Sequence, residues 1–186
     1  MEKTAQDRRR TVVVRGQMSN IVPLGATFRP PFDKVTSVGV VPFTDDGLIV
    51  AALLQRGVDL PGGHVQEGER TIEEVARREA LEEAGITLRE VHAAEVLQSD
   101  YYGPDDLTYM VLTTAFVDEY RPFAPNEESR GRITLSVEEF LGRYTAGMSR
   151  GCDTSSLLRT RSCSQERLAN STAYNGPTLS SNGKRP

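Results

Sequence analysis

Residues 62–86 read GGHVQEGERTIEEVARREALEEAGI, and the interpretation of the whole chain turns on this stretch. Thr71 stands three residues before Glu74, the spacing of a reciprocal capping box, so a helix is expected to open there. Gly85 supplies the stop, because helices commonly close on a left-handed residue that glycine adopts without strain. The pattern predicts a helix over residues 71–84. Within it Glu79, Glu82 and Glu83 are spaced i, i+3, i+4 and share one face. An acidic helix face is ordinarily a solvated one. At about 100° per residue, however, these acids fall on the arc that also carries Ile72, Val75 and Ala76, with Ala80 at its border. Glu73, Glu74, Arg77, Arg78 and Leu81 lie mostly on the other side. The three acids are therefore expected to face the protein body. Like charges so placed need a cationic partner, and a divalent metal is the simplest one. Arg78 is expected to pair with a carboxylate of the preceding loop and so orient the site. Gly62 and Gly63 let bare backbone approach the helix, where a loop carbonyl can add a neutral oxygen ligand.

Composition narrows the choice of metal. The chain has 186 residues, two cysteines (Cys152 and Cys163) and two histidines (His64 and His92). That excludes a disulfide scaffold, a Cys-rich zinc site and a multi-histidine centre. Carboxylates and carbonyls remain, and they favour hard cations such as Mg²⁺, Ca²⁺ or Mn²⁺. With 22 basic and 26 acidic residues the formal charge is −4, which lacks the broad basic field of a general nucleic-acid binder. No run of roughly 18 apolar residues occurs, so no membrane span is expected. Residues 1–10 are polar, with Arg8, Arg9 and Arg10 followed by no apolar segment of a secretory signal. A cytoplasmic protein is the expectation.

Around the central stretch the chain reads as alternating strands and helices. Thr11–Val14 is a short strand, and 17–34, with Pro23, Pro30 and Pro31, a loop. Val35–Phe43 and Leu48–Leu54 are expected to form a hairpin about a turn at residues 44–47, with Pro42 marking an edge or a bulge. Residues 59–70 read as a Gly-rich loop. Leu88–Leu97 and Leu107–Val117 read as two further strands and Arg132–Leu135 as a short one. Ser136 with Glu139 repeats the capping-box spacing and opens a helix to about Ala146. Residues 1–10 are expected to fray, 11–150 to form one domain, and 151–186 to be weakly structured, with at most a weak helix within 153–168.

These residues resemble the signature of Nudix hydrolases, G-x5-E-x7-R-E-U-x-E-E-x-G-U with U aliphatic. Arg78-Glu79-Ala80-Leu81-Glu82-Glu83-Ala84-Gly85-Ile86 matches its second half, with Ala80 as the first U, and Gly63 and Glu69 match its first. Eight residues rather than seven separate Glu69 from Arg78. Counting back from Glu79 puts Thr71 at the usual helix start, so the extra residue falls in the loop, most simply at Arg70. A loop absorbs one residue cheaply, whereas an insertion in the helix would rotate the acids by about 100°.

The resemblance covers 25 of the 186 residues. It implies an α/β fold, a Nudix-type α/β/α sandwich with a mixed sheet. It implies Mg²⁺- or Mn²⁺-dependent cleavage of the diphosphate of a nucleoside diphosphate linked to another moiety: a nucleotide sugar, a dinucleoside polyphosphate or a nucleoside triphosphate. By resemblance Glu79 and Glu83 are the main metal ligands, Glu82 a ligand or water-positioner, and the Gly63 carbonyl completes the shell. Glu83 is the expected base, and Arg78 supports it. Some members draw the base from a later loop, which here carries Glu127 and Glu128; a solvated loop is the plainer reading of those two. Glu69 is expected to pair with Arg78 and, with Gly62, to fix the loop. The partner is then a small nucleotide-type molecule, and the oligomeric state stays open, a homodimer included. The alternative is a nucleotide-binding or regulatory module of the same fold with weak catalysis. Arg56 is a phosphate contact or a surface arginine. Tyr101 and Tyr102, near Pro104, either stack on a base or flank a Gly-Pro turn. His64 is expected to be structural.

Overall fold

A computed structural model describes residues 10–14 and 17–144. Its strands are β1 (Arg10–Val14), β2 (Gln17–Pro23), β3 (Val35–Phe43), β4 (Ile49–Leu54), β5 (Gly57–Asp59), β6 (Gly62–His64), β7 (Ile86–Ser99), β8 (Thr108–Tyr120) and β9 (Ser129–Leu135). The helices are α1 (Ile72–Ala84) and α2 (Val137–Arg143). The sheet runs β1-β2-β7-β8-β3-β4-β5, with β6 beside β3 and β9 beside β4. β3 and β8 run parallel, while the other ladders are antiparallel. This is the mixed-sheet α/β class anticipated above.

Both capping boxes form as predicted. Thr71 Oγ1 accepts from Glu74 N at 3.2 Å, and Glu74 returns a carboxylate oxygen to Thr71 N at 3.2 Å and to Arg70 N at 2.7 Å. Gly85 adopts φ 60°, the left-handed cap. The register of α1 is therefore set from Thr71, and exposed Arg70 lies in the loop ahead of it. Val75, Ala76, Ala80 and Ala84 are fully buried, packed in one cluster with Val38, Val40, Val50, Ile86, Val96 and Val111. Three of these four helix contacts are alanines, so little side chain separates α1 from the sheet. In α2 the Ser136–Glu139 box likewise closes, and Phe140 is the buried anchor.

Three expectations need correction. Residues 17–23, read as loop, form β2, which pairs with β1 and β7. Its inward positions include Ser19, whose Oγ lies 2.8 Å from that of Ser99; a buried polar residue hides the two-residue alternation of a strand. The Gly-rich segment contains the end of β5 and all of β6. A Cβ on Gly62 would stand 2.7 Å from Gly39 Cα and 2.8 Å from the Val38 carbonyl, so this strand is glycine because β3 lies too close for a side chain. Pro42 marks neither an edge nor a bulge: β3 is an interior strand. Val40 N–H reaches Pro61 O and Thr44 N–H reaches Leu48 O, so position 42 points the same way, where β6 has ended and β4 joins only at Phe43↔Ile49. Proline's missing N–H falls in that gap. The β3–β4 hairpin thus keeps a single registered pair, and β5 and β9 flank β4 instead.

The predicted extension of α2 to Ala146, the boundary near residue 150, Cys152, Cys163 and the segment after them lie outside the described residues, as do residues 1–9. Among the described residues no helix is long and apolar enough to cross a membrane.

Candidate active site

One face of α1 carries the acids into a cleft of about 550 Å³. Glu79 and Glu83 are each 5% exposed, inward as the helix geometry requires. Glu82 departs from the expectation: its side chain is 45% exposed, against 7% for that of Glu79. It stands about 60° to one side of Glu79, whereas Glu83 stands about 40° to the other, toward Ala76 and Ala80. The face therefore turns two acids inward and leaves the third at the mouth. Opposite them lies β6. Glu83 Oε2 accepts from Gly62 N at 2.8 Å. A Cβ on Gly63 would sit 2.3 Å from Glu79 Oε1, so the carboxylate occupies the room that a side chain would take.

Arg78 organises this arrangement. Its Nε donates to Glu69 Oε1 at 2.8 Å and its Nη2 to Glu69 Oε2 at 3.3 Å, the expected pair. Nη2 also donates to the His64 carbonyl at 2.9 Å. Nη1 donates to Glu79 Oε1 at 2.7 Å and to Glu82 Oε2 at 2.9 Å. Only a planar guanidinium can serve four groups in one fork. Burial acts against the Arg78 charge, but hydrogen bonds to Glu69, Glu79 and Glu82 hold it above its ordinary value. The same Arg78 bond holds Glu69 below the usual carboxylate value. Glu69 Oε2 accepts from Gln66 N at 2.7 Å as well, which closes the loop on itself.

Burial pushes the Glu83 carboxyl up to about 7; neighbouring Glu79 and Asp59 add to the rise, while the Gly62 N–H and Arg56 oppose it. Burial raises Glu79 too, opposed by Arg78, with Glu82 and Glu128 adding negative charge nearby. Arg56 donates to Asp59 Oδ2 at 2.6 Å, and Asp59 is buried, so that arginine is held at the rim rather than loose on the surface.

The cleft also takes in Glu127 and Glu128, from the segment between β8 and β9. That segment and the first residues of β9 cap α1. A helix leaves its last carbonyls without partners. Here Glu82 O accepts from Asn126 Nδ2 at 3.2 Å and Glu83 O from Ser129 Oγ at 2.6 Å. Ala84 O and Gly85 O both accept from Arg132 Nη1 at 2.9 Å. Arg121 N also reaches Gly85 O at 2.8 Å. Asn126, Ser129 and Arg132 were invisible to motif spacing, because each acts on a residue more than forty positions away. Asn126 ahead of two acids and Ser129 is a turn composition that could have drawn attention.

The structure thus brings Arg56, Gly62, Gly63, Arg78, Glu79, Glu82, Glu83, Glu127 and Glu128 to one cleft, with His64 beside them and Glu69 behind Arg78. Tyr101 and Tyr102 are not among the residues lining it. They meet edge to face at 5.0 Å in the β7–β8 turn, where Tyr101 N donates to Ser99 Oγ at 3.2 Å. The turn half of that expectation is what these contacts describe.

Five carboxylates (Glu79, Glu82, Glu83, Glu127, Glu128) and two guanidiniums (Arg56, Arg78) line the cleft. A surface of that sign repels a phosphate unless a cation intervenes. Among the described residues no three acidic, histidine or cysteine side chains converge into a ready-made cage. A small hard cation does not need one, since Mg²⁺ takes one or two carboxylates and keeps water or phosphate oxygens for the rest. Two buried glutamates facing bare glycine backbone, with oxygen donors throughout, fit such an ion.

The NUDIX domain family model matches residues 33–150. Among solved structures, the pyrophosphohydrolase BsRppH of Bacillus subtilis, solved as a mutant, is 20% identical with a TM-score of 0.52, covering 62% of this chain and 72% of its own. A NUDIX hydrolase from Nitrosomonas europaea is 19% identical with a TM-score of 0.52, over 70% of this chain and 90% of its own. The NUDIX domain of Shewanella oneidensis NrtR, solved with ADP ribose, is 15% identical with a TM-score of 0.52, over 76% and 90%. These likenesses are of fold. No curated protein matches the sequence.

Proposed function

Since the chain belongs to the Nudix family of phosphoanhydride hydrolases, we propose that it cleaves the diphosphate of a nucleoside diphosphate joined to another moiety, using Mg²⁺ or Mn²⁺. Nudix hydrolases generally use divalent metals. The substrate candidates are a nucleotide sugar, a dinucleoside polyphosphate and a nucleoside triphosphate. The observation that carries the proposal is the pair of buried α1 carboxylates, Glu79 and Glu83, set against Gly62 and Gly63 in an acidic cleft. A pair of buried acids is costly in a plain charged helix, and a module that only binds nucleotides has little use for it.

Glu79 and Glu83, with the Gly63 carbonyl, would hold the ion, and Glu82 at the mouth would add a ligand or orient water. Bound there, a divalent cation neutralises diphosphate charge and lowers the pKa of a neighbouring water. Glu83, beside that ion, is the base this reading favours, and Glu127 or Glu128 is the alternative base. Arg78 keeps Glu79 and Glu82 in place, while Arg56 at the rim is offered as a phosphate contact.

The test is hydrolysis of ADP-ribose, a UDP-sugar, diadenosine tetraphosphate and nucleoside triphosphates by the full chain with Mg²⁺ or Mn²⁺, the products resolved by mass. ADP-ribose is included because the Shewanella domain was solved with it. The expected products are two phosphorylated fragments, or a monophosphate and pyrophosphate. Folded protein that turns over no member of the panel overturns the proposal; nucleotide binding without turnover supports the regulatory alternative.

A further inference from the structure

The loop acids Glu127 and Glu128 reach the cleft from the connection between β8 and β9, and their backbone is fastened to the elements that carry the rest of the site. Asn126 Oδ1 accepts from Glu128 N at 2.9 Å and from Ser129 N at 2.7 Å. Asn126 N donates to Ser129 O at 2.9 Å, closing a tight turn. From that turn Asn126 Nδ2 crosses to the Glu82 carbonyl at 3.2 Å, and Ser129 Oγ crosses to the Glu83 carbonyl at 2.6 Å. Gln55 Nε2 holds the Glu127 carbonyl at 2.8 Å from the β4 side.

We infer that Asn126 is a positioning residue: it shapes the turn that carries Glu128 and ties that turn to the end of α1, so that the loop carboxylate and the helix carboxylates keep one fixed arrangement. This rests on the hydrolase reading above. The backbone of Glu82 and Glu83 is the reference to which the loop is fastened, and their side chains are the acids the loop must face. One amide side chain uses its acceptor on the loop and its donor on the helix, so its removal loosens both at once. Ser129, being buried, secures the root of the turn. Asn126 is exposed, so its loss is a loss of aim rather than of folding.

The test compares Asn126→Ala, Glu128→Gln and the double variant in the full chain with Mg²⁺, on the panel member that wild type turns over fastest. Asn126→Ala is expected to lower kcat about tenfold with KM within about twofold of wild type. If Asn126 acts through Glu128, the double variant is no slower than Glu128→Gln alone by more than about twofold. A kcat for Asn126→Ala within twofold of wild type overturns the inference. So do losses that multiply in the double variant, or a Glu128→Gln enzyme as fast as wild type. A wild type that hydrolyses nothing sinks the hydrolase reading instead, and the inference is then read by NMR with Mn²⁺ alone. The Mn²⁺-induced relaxation rate of the Glu128 amide, which falls with the sixth power of distance, is expected to differ between wild type and Asn126→Ala; equal rates in the two proteins refute it.

Discussion

Replacing Gly63 by alanine places a methyl carbon 2.3 Å from Glu79 Oε1, 2.8 Å from its Cδ and 3.0 Å from its Oε2. Ordinary contact needs about 3.5 Å, so the carboxylate must retreat by about 1 Å. It has no slack to do so in place. The same Oε1 accepts from Arg78 at 2.7 Å, and Arg78 is itself fixed by Glu69 and the His64 carbonyl. Retreat stretches or breaks a charge-assisted bond worth about 1.5–3 kcal/mol when fully formed. Rearrangement at a partly open site recovers some of that, so the melting temperature should fall by only a few degrees. Activity is more sensitive, since a misplacement of about 1 Å costs roughly a hundredfold. Gly63→Ala should therefore lose about two orders of magnitude in kcat/KM while remaining folded, measured by steady-state hydrolysis with Mg²⁺ beside a thermal melt. Gly62→Ala is the contrast. Its methyl meets backbone atoms of β3 at 2.7 and 2.8 Å, which cannot swing aside, so stability should drop by about 1–3 kcal/mol. A Gly63→Ala protein that keeps more than a fifth of the wild-type rate would refute the claim that the position of Glu79 matters.

Glu83→Gln should abolish turnover, and in metal-free melts it should also change the pH dependence of stability. Folding raises this carboxyl from 4.5 to about 7, so its stabilising contribution is complete below pH 4.5 and is lost as pH climbs through 7. Wild type should lose ground to Glu83→Gln across that window; parallel melting curves would contradict the assignment. Arg78→Lys keeps the charge but not the fork, and should reduce kcat by about 10- to 100-fold in the same hydrolysis assay. Ser129→Ala leaves the buried Glu83 carbonyl short of its donor at 2.6 Å and should cost about 1–2 kcal/mol in denaturant unfolding.

The local signals in the sequence were the reliable ones. Thr71 with Glu74, Ser136 with Glu139, and Gly85 each act within a few residues, and all three form as spaced. The Arg78–Glu69 pair was legible for the same reason, its partners lying on one loop and one turn of helix. Helical periodicity placed Glu79 and Glu83 inward but could not separate Glu82, because burial at the margin of a face depends on what packs beside it. β6 was unreadable: Gly62 and Gly63 carry no side chain to alternate, and their strand is defined by the closeness of β3. The cap on α1 by Asn126, Ser129 and Arg132 was hidden too, since it depends on how β8 and β9 return past the helix. Tyr101 and Tyr102 pair with each other in the β7–β8 turn, an arrangement that spacing in the sequence does not reveal.

The inward acids of α1 are proposed to hold a divalent cation. Titration of Mn²⁺ into the full chain, followed by electron paramagnetic resonance of the free ion, tests it most directly. Saturable binding is expected, displaced by Mg²⁺, weakened at least about tenfold in Glu79→Gln and in Glu83→Gln, and unaltered by Glu138→Gln on α2. Equal Mn²⁺ binding in wild type and both α1 variants would contradict it.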